Sequence, residues 1–343
     1  MKPIMILDNH FRKKKELFRD ETYAALSTIC EIHGGIDAPM PRDEIDALLP
    51  EASFYVSALP ELNAQEIEKA SKLKATIEVA GAFREGLDYA SCLNNGIEVL
   101  SCSPGFRNSV AEMTLAMMLA GGRGLIAEHE AFRSGNERWL DDRDETDFSL
   151  YNQTVGFIGY GQIAREAHRL IAPFSTNVMA YDPFLSAAPD GVTLVDLETL
   201  VKQCRVVVMA AVPSEETRGL LSAELIAQLQ NHALVIVISR AWCVDFDALI
   251  SEAASGRITV ATDVFPDEPL SATDPIRRMK NVILSPHRAA AVPGGRHLIG
   301  DMILHDVRAI LQGGTKRMLN PADLDLVQGL VSAQNQLNSM PNT

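Results

Sequence analysis

The sequence has few cysteines, few aromatic residues, no excess of positive charge and no long uninterrupted apolar run. Its five cysteines, Cys30, Cys92, Cys102, Cys204 and Cys243, are odd in number, and none is paired at C-x-x-C spacing. That argues against a disulfide framework or a zinc site. No metal is expected, and a reducing cytoplasm is the expected location. The 45 acidic residues outnumber the 31 basic ones, for a formal net charge of -14. Nucleic acids and anionic membranes call for a positive surface, so neither is expected as a partner, although a local basic pocket for a small anion is compatible with this balance. No apolar run approaches the roughly 20 residues of a membrane span. The opening MKPIMILDNH has too short an apolar run for a secretion signal. What remains is an ordinary globular composition, 47% hydrophobic and 22% charged over 343 residues, a length suited to about two domains.

Short apolar runs alternate with helical patterns along the chain. IMIL (4–7), FYVSAL (54–59), ATIEVA (75–80) and IEVLSC (97–102) read as strands, with helices over 11–30, near 63–72 and over 87–96. This βαβ rhythm predicts a parallel sheet covered on both faces. Residues 109–127 read as one long apolar helix, buried between two domains. The charged stretch 128–153 reads as an exposed connection or arm. A second series begins at Thr154, with strands at 154–158, 177–181, 205–210, 233–238, 258–262 and 281–285. An amphipathic helix follows over 293–314, and the polar tail after 320 is expected to be loosely held. The fold class is therefore α/β, with two doubly wound parallel-sheet domains.

TVGFIGYGQIAREAHRLI joins a strand, a G-x-G-x-x-A turn and a helix. Gly159 allows the tight turn, Gly161 lets the backbone approach a pyrophosphate, and Ala164 permits close helix–strand packing. The pyrophosphate is expected on the free N–H groups near Gln162 and Ile163. The next strand ends in AYDPF, which places Asp182 about twenty residues on, where an acid bonds the adenosine ribose. A 2′-phosphate about 4 Å from that carboxylate is repelled by roughly 1–4 kcal/mol, so NAD is expected over NADP.

Three later stretches carry chemistry. Arg240 follows an apolar strand in VIVISRAW, His287 follows a strand and a proline in LSPHRAAA, and Glu268 sits between Asp267 and Pro269 in DVFPDEPL. Taken singly, each has a bland reading: a loop-anchoring arginine, a structural histidine, a solvated turn acid. Together they supply what hydride transfer from a hydroxy acid needs. His287 suits the proton acceptor, Glu268 favours its imidazolium form, and the Arg240 fork matches a carboxylate.

With GIEVLSCSPGFRNSVAE, VGFIGYGQIA, AYDPF, ETRGLL, VISRAWCVDFDAL, GRITVATDVFPDEPL and NVILSPH in this order, the sequence closely resembles the D-isomer-specific 2-hydroxyacid dehydrogenase family over about residues 75–313. The resemblance implies a Rossmann NAD-binding domain at 106–299. It also implies a discontinuous, flavodoxin-like substrate domain from 1–105 and 300–343, catalysis in the cleft, and a homodimer. It makes Arg240 the binder of substrate carboxylate and carbonyl, His287 the general acid/base and Glu268 its partner. It places Asp263 on the nicotinamide carboxamide, Val110 near the nicotinamide ring, Thr217 among the cofactor contacts and Asp182 on the ribose. The implied reaction is direct hydride transfer between NAD(H) and a 2-hydroxy/2-oxo acid pair such as glycerate/hydroxypyruvate or glycolate/glyoxylate.

The loop AGAFREGLDYA departs from the family's G-x-G-x-D-x-x-D: Phe83 replaces the second glycine and Glu85 the first acid. Gly81, Ala82, Phe83 and Arg84 are expected to contact substrate, the first through backbone N–H groups. Phe83 and Arg84 are expected to select an acid with a second polar or anionic group. Ala241 stands for a glycine, Pro213 is shifted by one position, and Trp242 and Arg288 flank the motifs with roles left open. A NAD-sensing, co-repressor-like protein on the same scaffold is the rival reading. Relatives that use formate pair the histidine with glutamine, so Glu268 favours hydroxyacid chemistry.

Overall fold

The structure, a computed structural model, describes residues 2–35, 37–140, 146–323 and 327–328. The chain divides into two units, Met1–Arg107 with Ala291–Thr343, and Asn108–Ala290.

In the first unit, β1 (Ile4–Asp8), β2 (Glu31–Gly34), β3 (Ala52–Ser57), β4 (Ala75–Glu78) and β5 (Glu98–Ser101) form a parallel sheet in the order β5-β4-β3-β1-β2. The short strand Asn320–Pro321 adds antiparallel to β5. The pleat sends alternate side chains to opposite faces. Met5, Leu7, Phe54 and Val56 pack into one core with Ile299, Met302 and Ile303. Ile6, Tyr55 and Val99 pack into the other with Ile45, Ile67 and Phe83. Burial on both faces explains why these strands read as continuous apolar runs. At the carboxyl ends the register lines up Asp8, Ser57, Glu78 and Ser101, a buried polar row at the edge where ligands of such sheets bind.

In the second unit, β6 (Thr154–Ile158), β7 (Asn177–Tyr181), β8 (Val192–Leu194), β9 (Val206–Met209), β10 (Leu234–Val237), β11 (Thr259–Thr262) and β12 (Val282–Leu284) form a seven-stranded sheet in the order β8-β7-β6-β9-β10-β11-β12. All pairs are parallel. The order reverses between β6 and β9, the switch point of a doubly wound sheet.

Several expectations need correction. The helix expected over 11–30 is two pieces, Lys14–Leu17 and Asp20–Ile29, because the chain extends at Phe18 (φ -122°) to bury both Leu17 and Phe18. The helix expected over 109–127 ends at Gly122, and a second runs Leu125–Arg133 after Gly124 takes a left-handed φ of 56°. The start of the expected arm, residues 128–133, is therefore helical, and its residues 141–145 lie outside the described residues, as does most of the tail after 320. A domain boundary at 299/300 would cut the helix His297–Leu311. Its Ile299, Met302, Ile303 and Val307 all pack into the first unit, so the helix belongs there whole. β2, β8 and the strand at 320–321 carried no readable signal: they are only two to four residues long and lie at sheet edges, where one side needs no apolar cover.

Candidate active site

The glycine turn after β6 is built as its residues require. Gly159 has φ 85°, and a Cβ there would lie 2.5 Å from Ala211 Cα, a backbone contact that cannot yield. Gly161 precedes the helix Gln162–Ile171, and a Cβ there would meet open space. The exposed Gln162 and half-buried Ile163 start that helix, while Ala164 is buried beneath it. The unsatisfied N–H groups of such a terminus favour an anion. Asp182, at the end of β7, accepts from the Tyr160 N–H (2.8 Å) and the Phe184 N–H (3.0 Å), fixing its carboxylate beside the turn. These features fit a dinucleotide: open backbone for pyrophosphate and an anchored acid for the ribose.

The chemistry-bearing residues stand at the carboxyl ends of three adjacent strands. Arg240 follows β10, is exposed, and donates through Nη1 to the Ser239 carbonyl at 2.7 Å. Glu268 follows β11 and His287 follows β12. His287 Nδ1 lies 2.6 Å from Glu268 Oε2, and Glu268 Oε1 accepts from the Phe265 N–H at 3.0 Å. Burial pushes the Glu268 carboxyl up, but its hydrogen bonds from His287 and Phe265, with the nearby charges of His287 and Arg240, outweigh this and hold it below the usual range. His287 has φ 50°, an uncommon conformation for a non-glycine residue that needs outside support.

Asp263 gives that support. Its buried carboxylate accepts from the Ser285 hydroxyl and from the N–H groups of Arg288 (2.8 Å) and Ala289 (2.9 Å), while its carbonyl accepts the His287 N–H (2.8 Å). Expected only as a nicotinamide contact, Asp263 is the brace of the histidine loop. A single acid directly after a strand does not announce such a fold-back.

Glu268→Gln keeps the shape of the pair but removes the carboxylate charge that faces His287 Nδ1.

Other expected positions resolve differently. The Thr217 hydroxyl is used within its own loop, accepting from the Ser214 N–H (2.7 Å) and donating to the Val212 carbonyl (2.9 Å). Val110 is buried in the helix Arg107–Gly122. Trp242 packs on the core of the second unit under the Arg218 guanidinium, 4.0 Å from its ring centroid. Arg288 is exposed beside His287. All five cysteines are free and buried. Burial pushes Cys30 up to about 11 and Cys92 and Cys204 to about 12, so they are fillers rather than nucleophiles.

The substrate loop of the first unit holds the main correction. Glu78, absent from the expected set, turns its carboxylate onto the loop and accepts from the N–H groups of Ala80, Gly81 and Ala82 and from the Ser101 hydroxyl (3.1 Å). The Gly81 and Ala82 donors are thus already engaged. Phe83, 3% exposed, packs in the core, edge-on to Tyr89. The buried Nε of Arg84 has no hydrogen-bond partner among the described residues.

Burial pushes Glu78 up from 4.5 to about 7, against the opposing pull of its hydrogen bonds. Between those values the folded chain holds a proton that the unfolded chain has lost, so stability falls as pH rises through this window. Replacement by Gln removes the buried charge. The stability of Glu78→Gln relative to the parent should therefore rise by about 3 kcal/mol between pH 5 and pH 8. Urea titrations at the two pH values check this, and a pH-independent difference would contradict it.

Comparison with known proteins follows the same lines. Residues 115–289 match the model of the D-isomer specific 2-hydroxyacid dehydrogenase, NAD binding domain. The chain belongs to this family. A hydroxypyruvate reductase of Thermotoga maritima is 29% identical over 267 residues, covering 76% of this chain and 85% of that one. A D-3-phosphoglycerate dehydrogenase of Archaeoglobus fulgidus is 29% identical over 279 residues, 80% of this chain but 52% of the relative. The chain thus spans about half the length of the phosphoglycerate dehydrogenases it matches. A phosphoglycerate oxidoreductase structure from Rhizobium etli superposes with a TM-score of 0.83 at 29% identity, over 94% of this chain and 99% of that one. The second unit is accordingly an NAD-binding domain of this family.

Proposed function

We propose that the protein is an NAD-dependent dehydrogenase that interconverts a 2-hydroxy acid and its 2-oxo acid. The observation that carries this is the His287–Glu268 pair at 2.6 Å, set one strand from Arg240. Bound NADH supplies the hydride for the carbonyl carbon. His287, held through Nδ1, presents Nε2 to the substrate oxygen and gives up its proton there. Glu268 holds the ring oriented for the transfer. Arg240 grips the carboxylate with two parallel N–H bonds and polarises the adjacent carbonyl. Asp182 holds the ribose and disfavours NADP.

The test follows NADH absorbance with glyoxylate, hydroxypyruvate, pyruvate and bulkier or dicarboxylic 2-oxo acids. Turnover that is lost in the His287→Ala control supports the reading. NADH binding without turnover of any acid favours a nucleotide-sensing protein.

The same reading includes a homodimer in a reducing cytoplasm. The free, buried cysteines support the compartment. The helix Leu125–Arg133 buries none of its residues fully. Leu125, Ile126, Phe132 and Trp139 are large apolar side chains left exposed, Trp139 by 75%, a patch that calls for a cover. Phe132→Glu combined with Trp139→Glu should shift sedimentation from dimer to monomer. A parent chain that sediments as a monomer at micromolar concentration would contradict the dimer.

A further inference from the structure

The glycine turn after β6 holds one residue whose side chain has no part in the reading above. Tyr160 stands between Gly159 and Gly161. Glycine imposes little on the backbone around it, so the direction of the Tyr160 N–H has to be fixed by something else. That direction matters, because the Tyr160 N–H donates to Asp182 Oδ2 at 2.8 Å. With the Phe184 N–H on Oδ1 (3.0 Å), it sets where the carboxylate points. The entry to the turn is held by the Gly159 N–H on the Tyr181 carbonyl (2.8 Å). Tyr160 thus links the turn suited to pyrophosphate with the acid suited to the ribose.

The side chain supplies the missing hold. Tyr160 is 3% exposed, its ring edge-on to Phe157 with centroids 6.0 Å apart. Its hydroxyl lies 2.6 Å from Nδ1 of His168, on the helix Gln162–Ile171. The Arg165 guanidinium of the same helix lies over the ring, 5.1 Å from its centroid. Burial holds the His168 imidazole below its ordinary range and the Tyr160 hydroxyl above its own. Near pH 7 the bond therefore joins two mainly neutral partners. A buried tyrosine hydroxyl needs such a partner. This one lies two turns along the helix that the glycine turn opens, so the bond ties turn, helix and Asp182 into one frame.

We infer that Tyr160, tied to His168, is a positioning residue for cofactor choice: it fixes the Asp182 carboxylate where it accepts from a ribose hydroxyl and repels a 2′-phosphate. Both side chains act through Asp182. A carboxylate that swings gives up part of both effects, since each falls with distance and angle. The inference rests on the reading of Asp182 as the ribose acid and is independent of the substrate.

The test reads binding, by the fluorescence of NADH and NADPH titrated with the full chain, so it does not depend on turnover. Tyr160→Phe keeps the ring, its contact with Phe157 and its place under Arg165, and removes only the hydroxyl. His168→Phe breaks the same bond from the other side, and His168→Asn restores a polar atom near the Nδ1 position. The preference for NADH over NADPH should fall about three- to tenfold in Tyr160→Phe and in His168→Phe, the range that one neutral hydrogen bond is worth. His168→Asn should recover most of that loss. In Asp182→Ala the preference should vanish, and adding Tyr160→Phe should change it no further. Equal weakening of both nucleotides, a preference kept within threefold in either Phe variant, or a further fall in the double variant would overturn the role. His168→Asn no better than His168→Phe would assign the effect to packing and overturn it too. A parent that binds both nucleotides alike would remove the reading of Asp182, and the inference with it. Thermal melts check each variant, and if Tyr160→Phe fails to fold, the two variants of the half-buried His168 decide.

Discussion

His287→Ala should lower kcat for 2-oxo acid reduction by about 10²- to 10⁴-fold, the contribution of a positioned general acid. Affinity for NADH should change less than threefold, since Gly161, Asp182 and the helix Gln162–Ile171 are untouched. The loss belongs in kcat because the proton is delivered only as the carbonyl is reduced. A merely structural histidine would behave otherwise. His287 is substantially exposed and its loop is held by Asp263 through backbone atoms, so removing the imidazole leaves the loop in place. Stopped-flow single turnovers with saturating NADH separate the two cases. A kcat within tenfold of the parent would remove His287 from the chemistry.

Gly159→Ala should be the most damaging single methyl in the second unit. The new Cβ would sit 2.5 Å from Ala211 Cα and 2.6 Å from Ala211 N, at a φ of 85°. Left-handed backbone costs a non-glycine residue about 1–2 kcal/mol, and forced overlap in a packed region adds about 1–3 kcal/mol. The sum, roughly 2–5 kcal/mol, is a large share of a domain's stability. Gly161→Ala is the control: its Cβ meets open space and its φ of -77° suits any residue. It should melt like the parent and yet bind NADH more weakly, because the added methyl keeps the pyrophosphate from the backbone. Equal melting temperatures for Gly159→Ala and the parent would contradict the packing described here.

Much of this was legible in the sequence because the signals are local. Two-sided burial makes runs such as VVVM and LVIV unmistakable, and the glycine spacing after β6 encodes a turn that only glycine can make. The order Arg240, Glu268, His287 could be read because each lies within about six residues of a strand's carboxyl end. Glu78 could not, since nothing in ATIEVA says that its acid will be buried and folded back onto its own loop. Nor could the role of Asp263, which depends on β11 and β12 lying side by side. The burial of Phe83 was not legible because its bulk was weighed against a family loop. The core beneath that loop had room for the ring. The breaks at Phe18 and Gly124 came from tertiary demands that override helical periodicity.

The central claim is that the second unit directs a hydride from NADH to C2 of a 2-oxo acid. The most direct measurement supplies NADH deuterated at the transferring C4 position with the best substrate found, then locates the label in the product by mass spectrometry and NMR. The account predicts one deuterium per molecule, at C2 and in one enantiomer, with none in the His287→Ala reaction beyond its residual rate. Hydroxy acid formed without deuterium, or with label elsewhere than C2, would contradict it.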